Sequence, residues 1–166
     1  MNIFYLDPDP NKCAKSHCDK HVPKMILESA QMLSTAYQVA SPDRIVDLGV
    51  MPYKAAYKNH PSTKWARQTL SNFKWLHSLA LALCSEYTFR YYKIHKSEKL
   101  IRAMAKALPS LPNSEFTEPP QCMPDIWKAE STVLAYRTYY FMEKSYFAKW
   151  TKGRSAPHWW SSNVIL

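Results

Sequence analysis

The sequence predicts a mainly α-helical single domain spanning residues 1–166. Three observations carry that expectation. Glycine occurs only at Gly49 and Gly153, and tight two-residue hairpins lean on glycine, which argues against a hairpin-rich β fold. Three long stretches place apolar residues at helical spacing. Most of the prolines fall between those stretches, where the chain must turn. The expected architecture is about three long helices and one short helix, joined by proline-containing loops and preceded by an extended N-terminal arm.

Met1-Asn2-Ile3-Phe4-Tyr5-Leu6 is apolar and suits a short strand or a buried arm. Asp7-Pro8-Asp9-Pro10 interrupts it, since each proline fixes φ and biases the residue before it away from helix. With Asn11 as N-cap, a helical stretch is expected to about Ala40, its face made by Met25, Ile26, Ser29, Met32, Leu33 and Ala36. Pro23 either kinks that helix or divides it, with a second helix starting near Val22. Residues 41–61 read as an irregular connection. The strongest pattern covers Thr63 to Tyr92, with Trp65, Leu70, Phe73, Leu76, Leu79, Ala80, Leu83 and Tyr87 as its stripe. Ser97 is placed to cap a short helix from Glu98 to Leu108. Five prolines make 109–124 a loop, a last helix is expected from Ser131 to Thr151, and Pro157-His158-Trp159-Trp160 reads as an irregular aromatic tail.

The composition also excludes functions. With two glycines in 166 residues there is no G-x-G-x-x-G loop, no P-loop and no G-x-S-x-G elbow. No run of 18 apolar residues provides a membrane span, and the first residues lack the charged and long apolar regions of a signal peptide. Cys13, Cys18, Cys84 and Cys122 are scattered through a chain large enough to need no staple, so a reduced, intracellular (cytoplasmic) setting is expected. The 22 Lys and Arg against 13 Asp and Glu leave a formal charge of +9, which draws polyanions.

Reactive side chains are densest between Cys13 and Glu28. Cys13, His17 and His21 recur at i, i+4 and i+8, but on one straight helix the outer two stand roughly 12 Å apart, so a metal would need ligands from elsewhere. Asp7 and Asp9 could seed a two-metal nuclease site, although their prolines equally make a rigid turn. His21 and Glu28 lie two helical turns apart on one face and could form an acid/base pair, or a hydrogen-bonded structural pair. An α-amine has a reference pKa near 7.7–8.0 against about 10.4 for lysine, so it is much the better imine-forming nucleophile at neutral pH. Asn2 is too bulky to favour removal of Met1, which makes the Met1 amine that candidate. A chain end without anchors would simply fray.

Cys18-Asp19-Lys20-His21-Val22-Pro23-Lys24-Met25-Ile26-Leu27-Glu28 resembles the first helix of the bacteriophage-type pyrimidine-dimer DNA glycosylase/AP lyases. That helix reads approximately D-x-H-L-x-x-E-x-R-E and ends on a catalytic Glu. Asp19, His21, Val22 and Glu28 match it without a gap, whereas Met25 and Leu27 stand where the family has Glu and Arg. The Thr63–Tyr92 stretch looks like the family's central helix. Ala135-Tyr136-Arg137-Thr138-Tyr139-Tyr140 with Lys144 resembles its C-terminal aromatic-basic segment, which lies against DNA.

The resemblance implies a DNA repair glycosylase/AP lyase acting on double-stranded DNA as a monomer, with neither metal nor organic cofactor. It implies Met1 as nucleophile, Glu28 as catalytic carboxylate and His21 orienting Glu28 or touching phosphate. Basic and aromatic residues placed to bind DNA are Lys20, Lys24, Lys58, His60, Lys64, Arg67, Tyr139, Tyr140, Lys144, Lys149, Trp150, Lys152 and Arg154. These groups are expected to share one face around Glu28. The alternatives are a non-catalytic nucleic-acid-binding protein on the same scaffold and a metal-dependent nuclease using Cys13, His17 and His21 or Asp7 and Asp9.

Overall fold

The Asp7–Pro10 run starts a helix instead of only blocking one. Asp9, not Asn11, is the N-cap: its carboxylate accepts from the Asn11 N–H at 2.8 Å and the Lys12 N–H at 3.0 Å. Pro10 then occupies the first helical position, where its missing N–H costs nothing. In this computed structural model, which describes residues 1–161, helix α1 runs Pro10–Ser16 and α2 runs His21–Ala40. Of the two forms expected for the stretch to Ala40, the divided one is found: the second helix starts at His21, close to the expected Val22, and Pro23 falls in its first turn.

The Thr63–Tyr92 stretch is also divided. Helix α3 covers Pro61–Ala66 and α4 covers Leu70–Tyr91. Thr69 between them is extended (φ −139°, ψ 156°), and its hydroxyl accepts from the Asn72 N–H at 3.0 Å. The Leu70 N–H, freed by the break, donates to Pro112 O at 2.8 Å, while Asn72 holds Thr117 and Trp65. The 109–124 loop is thus tied down by the gap between two helices. Helix α5 spans Glu98–Met104, four residues short of Leu108, and α6 spans Thr132–Lys144, well short of Thr151. Three short 3₁₀ turns complete the described residues, which contain no strand and no helix long and apolar enough to cross a membrane.

The long helices α2 and α4 pack against each other, and α1 packs on α4. Val22, Met25, Ile26, Leu33 and Tyr37 belong to one core with Phe73, Leu76, Ala80 and Leu83. The arm Ile3–Leu6 is part of this core, with each side chain at most 5% exposed. At about 1.5–3 kcal/mol for each fully buried large apolar side chain, the arm is fastened strongly. Its carbonyls are used as well: Cys13 Sγ donates to Phe4 O at 3.2 Å and Arg137 Nε to Leu6 O at 2.8 Å.

A buried charge network joins α4 to both chain ends. Arg90, wholly buried, donates to Glu86, to Asp19 and to the carbonyls of Lys15 and His17, which satisfies the C-terminal end of α1. Arg154 grips the same Glu86 with both Nε and Nη2. Asp19 completes the tie by accepting from Thr151 N at 2.8 Å and Thr151 Oγ1 at 3.0 Å. This explains why the chain leaves helix after Lys144: residues 145–161 are pinned across the start of α2 and over the end of α4. Cys13, Cys18 and Cys84 are buried free thiols, and Cys122 is a half-buried one.

Candidate active site

Burial of Ile3 through Leu6 delivers the first two residues to the outer side of α2, beside Glu28. The Asn2 N–H donates to Glu28 Oε2 at 3.1 Å. Covalent geometry keeps the Met1 amine nitrogen within about 4 Å of that N–H, in the neighbourhood of Glu28. Glu28 is 18% exposed, and its Oε1 lies 4.0 Å from Lys24 Nζ. Leu27, the neighbour on α2, is 42% exposed and presents an apolar surface where the resembled helix has arginine.

The Asn2 side chain is held through both its amide nitrogen and its oxygen. Its Nδ2 donates to Cys122 O at 3.1 Å, and its Oδ1 accepts from the Ile3 N–H at 2.8 Å and the Tyr136 hydroxyl at 2.9 Å. The single Tyr136 hydroxyl proton is shared between Asn2 Oδ1 and Pro120 O, the latter at 2.6 Å, and the hydroxyl oxygen accepts from the Cys122 N–H at 3.2 Å. Asn2, Cys122 and Tyr136 escaped the sequence reading. The signal was present in Asn2, a lone amide in an apolar arm, because a buried amide must find partners.

His60 forms another wall. It caps α3, its Nδ1 accepting from the Ser62 N–H at 3.1 Å, which leaves Nε2 as the protonated nitrogen of the neutral ring. Burial lowers its pKa; the chain's first amine lowers it further and Glu28 opposes, so both charges lie within its reach. Ser62 Oγ meets Cys122 Sγ at 3.4 Å and joins this wall to the Asn2 anchorage. Beyond Pro61 and Pro120 a groove of about 720 Å³ opens, bordered by Lys64, Trp65, Arg67, Gln68, Thr117 and Glu118.

His21 departs from its expected role. It is 3% exposed, and its Nδ1 shares a 2.8 Å hydrogen bond with the Tyr140 hydroxyl, not with Glu28. Its ring stacks on Phe4 at 4.8 Å and 14°, so its contribution is to seat the arm. Burial lowers its pKa to about 3, helped by the charges of His17, Lys24, Lys144 and Lys20, and the ring is neutral. His17 is likewise neutral, its pKa lowered by burial to about 4, with Nδ1 on Cys13 O at 2.8 Å. Cys13 Sγ and the Nδ1 atoms of His17 and His21 therefore engage separate partners, while His17 Nε2 is buried without one. Asp7 holds the Asp9 N–H and Arg137, while Asp9 caps α1. Among the described residues no group of three His, Cys, Asp or Glu side chains is arranged to hold a metal ion.

The expected DNA-binding residues divide. Lys20, Lys24 and Lys144 are close enough to act electrostatically on His21; Lys144 lies over Tyr139 and Lys20 over Phe147, each at 5.0 Å. Lys58, Lys64 and Lys149 are exposed. Arg67 braces its own loop through Thr63 O and Lys58 O, and Trp150 packs half-buried on Trp160 at 4.7 Å. Tyr140 is wholly buried beneath His21 and Cys18 and is core, not a DNA contact. Arg154 is paired with Glu86 above Phe89, and Lys152 lies over Tyr91, so this end of the basic set turns toward the end of α4. The expectation of one shared face fails there because two acidic anchors, Glu86 and Asp19, hold the tail.

No curated protein and no solved structure matches this chain. A family model described as pyrimidine dimer DNA glycosylase matches residues 1–100, the segment that carries the arm, α2, Glu28 and His60. With that match over more than half of its length, the chain belongs to the pyrimidine dimer DNA glycosylase family.

Proposed function

We propose that this protein is a DNA repair glycosylase/AP lyase that excises a damaged pyrimidine from double-stranded DNA, working as a monomer through an imine on the Met1 amine. The observation that carries the reading is the hydrogen bond from Asn2 N–H to Glu28 Oε2, which supports a chain-terminal amine beside a carboxylate. The positive charge of Lys20, Lys24 and Lys144 around His21, with Lys58 and Lys64 beyond His60, suits a phosphate backbone. Extrusion of a nucleotide, least costly at a damaged step, brings the sugar C1′ to the amine.

The amine lone pair attacks C1′ and forms the N–C1′ bond. The glycosidic bond breaks, and its electron pair leaves with the base, which takes a proton. Opening of the sugar ring and loss of an amine proton give the imine. Glu28 stabilises the positive charge that develops on the sugar and then accepts a proton from C2′. Elimination breaks the C3′–O bond and expels the phosphate with its electron pair, and water releases the amine. Exposed Leu27 replaces a polar position of the resembled helix, so the surface beside Glu28 is more apolar, whereas Met25 is buried in the core.

Duplexes carrying a thymine dimer or an abasic site test the activity. Strand cleavage of at least the abasic duplex, undiminished by a chelator, is expected. Glu28→Gln should cost about 100-fold or more in cleavage while duplex affinity stays within a few-fold. Wild-type cleavage by Glu28→Gln would show that the carboxylate plays no chemical part.

A further inference from the structure

We infer that Asn2 and Tyr136 act as a positioning clamp for the Met1 amine, so that the part of the chain beyond the family match completes the reactive site. The inference rests on the proposed imine chemistry and adds the device that aims the nucleophile. Residue 2 is held at four points: its N–H on Glu28, its Nδ2 on Cys122 O, and its Oδ1 under the Ile3 N–H and the Tyr136 hydroxyl. With residue 2 held this way and the peptide bond planar, rotation about Met1 Cα–C is the one backbone freedom left to the amine. Anchorage of the arm alone does not require this arrangement, because Ile3, Phe4, Tyr5 and Leu6 are already buried. The clamp instead restrains the residue next to the nucleophile, where small angular errors are costly to a bond-forming step.

The partners come from far along the chain. Tyr136 sits 134 residues from Asn2, on α6, and Cys122 sits 120 residues away in the loop before it. Both lie outside residues 1–100. The hydroxyl of Tyr136 also holds Pro120 O and the Cys122 N–H, so one phenol sets both the amide of Asn2 and the loop that receives it.

Borohydride trapping on an abasic duplex, used as an active-site titration, separates positioning from mere folding. The wild type is expected to give an adduct on Met1. Tyr136→Phe and Asn2→Leu, the latter keeping a bulky second residue so that Met1 is retained, are each expected to trap the same final fraction of molecules with unchanged KM. Their trapping rate per active molecule should fall at least tenfold. A wild-type rate in both variants overturns the clamp, and so does a reduced trapped fraction at an undiminished rate, which marks a folding role only. Absence of a Met1 adduct in the wild type overturns the imine reading itself, and the clamp with it.

Discussion

Glu28 and Glu86 show how residue environment assigns opposite roles to the same side chain. Glu28 is partly exposed, takes one N–H from the arm and has Lys24 only at the edge of ion-pair distance. Glu86 is buried between two arginines. Burial alone would raise its pKa, but hydrogen bonds from Arg154 and Arg90 more than reverse this and hold it below the usual carboxylate range. Removing its charge strands Arg90, whose side chain is wholly buried. Glu86→Gln should therefore cost about 3 kcal/mol of stability, read as a lower urea midpoint, because breaking a buried pair leaves an uncompensated charge. A loss within 0.5 kcal/mol would mean that Asp19 alone satisfies Arg90. The proposed reactive residues Glu28 and Met1 could be named from sequence through spacing, resemblance and amine chemistry. The partners of Asn2 could not, because Cys122 and Tyr136 are distant in sequence and meet it only in the folded chain.

At the level of elements, helical periodicity located the apolar faces well and Pro23 signalled the division before α2, but the pattern runs straight through the break between α3 and α4. The stripe of Trp65, Leu70 and Phe73 continues across Arg67-Gln68-Thr69, where neither proline nor glycine marks the stop. What stops the helix is tertiary: Thr69 caps α4, and the Leu70 N–H and Asn72 amide bind the 109–124 loop. Thr69→Ala should destabilise the protein by about 1 kcal/mol, measured by thermal or urea unfolding, whereas no change would remove the cap from the explanation. The aromatic-basic segment of α6 was misread for a similar reason. A Tyr-rich amphipathic stretch reads equally as a binding face or as core, and here Tyr136 and Tyr140 face inward while Tyr139 alone lies under Lys144.

For the whole molecule, the +9 charge indicated a polyanion partner but not where each cation would stand. Exposure of Lys24 against pairing of Arg154 makes the difference measurable in DNA binding. Lys24→Gln should reduce the slope of log K against log salt by about 0.9, whereas Arg154→Gln should leave the slope unchanged. Stability should also depend on pH through the two buried histidines at the start of the molecule. His21 and His17 have pKa values lowered by burial to about 3 and about 4, against 6.5 for the free side chain. The unfolded chain therefore binds more protons than the folded one between those values, and stability is full above pH 6.5 and falls progressively below it. The unfolding free energy from urea titrations at pH 7 down to 4.5 should fall by several kcal/mol in total, on the order set by the two histidine shifts, and His21→Phe should flatten the curve. The proposed reactive end rests on a buried arm whose Asn2 N–H is held by Glu28, next to the Met1 amine. Borohydride trapping on an abasic duplex, followed by peptide mapping, reads that arrangement in one step. An adduct on the Met1 peptide is the expected result; an adduct on Lys20, Lys24 or another lysine, or none at all, would contradict it.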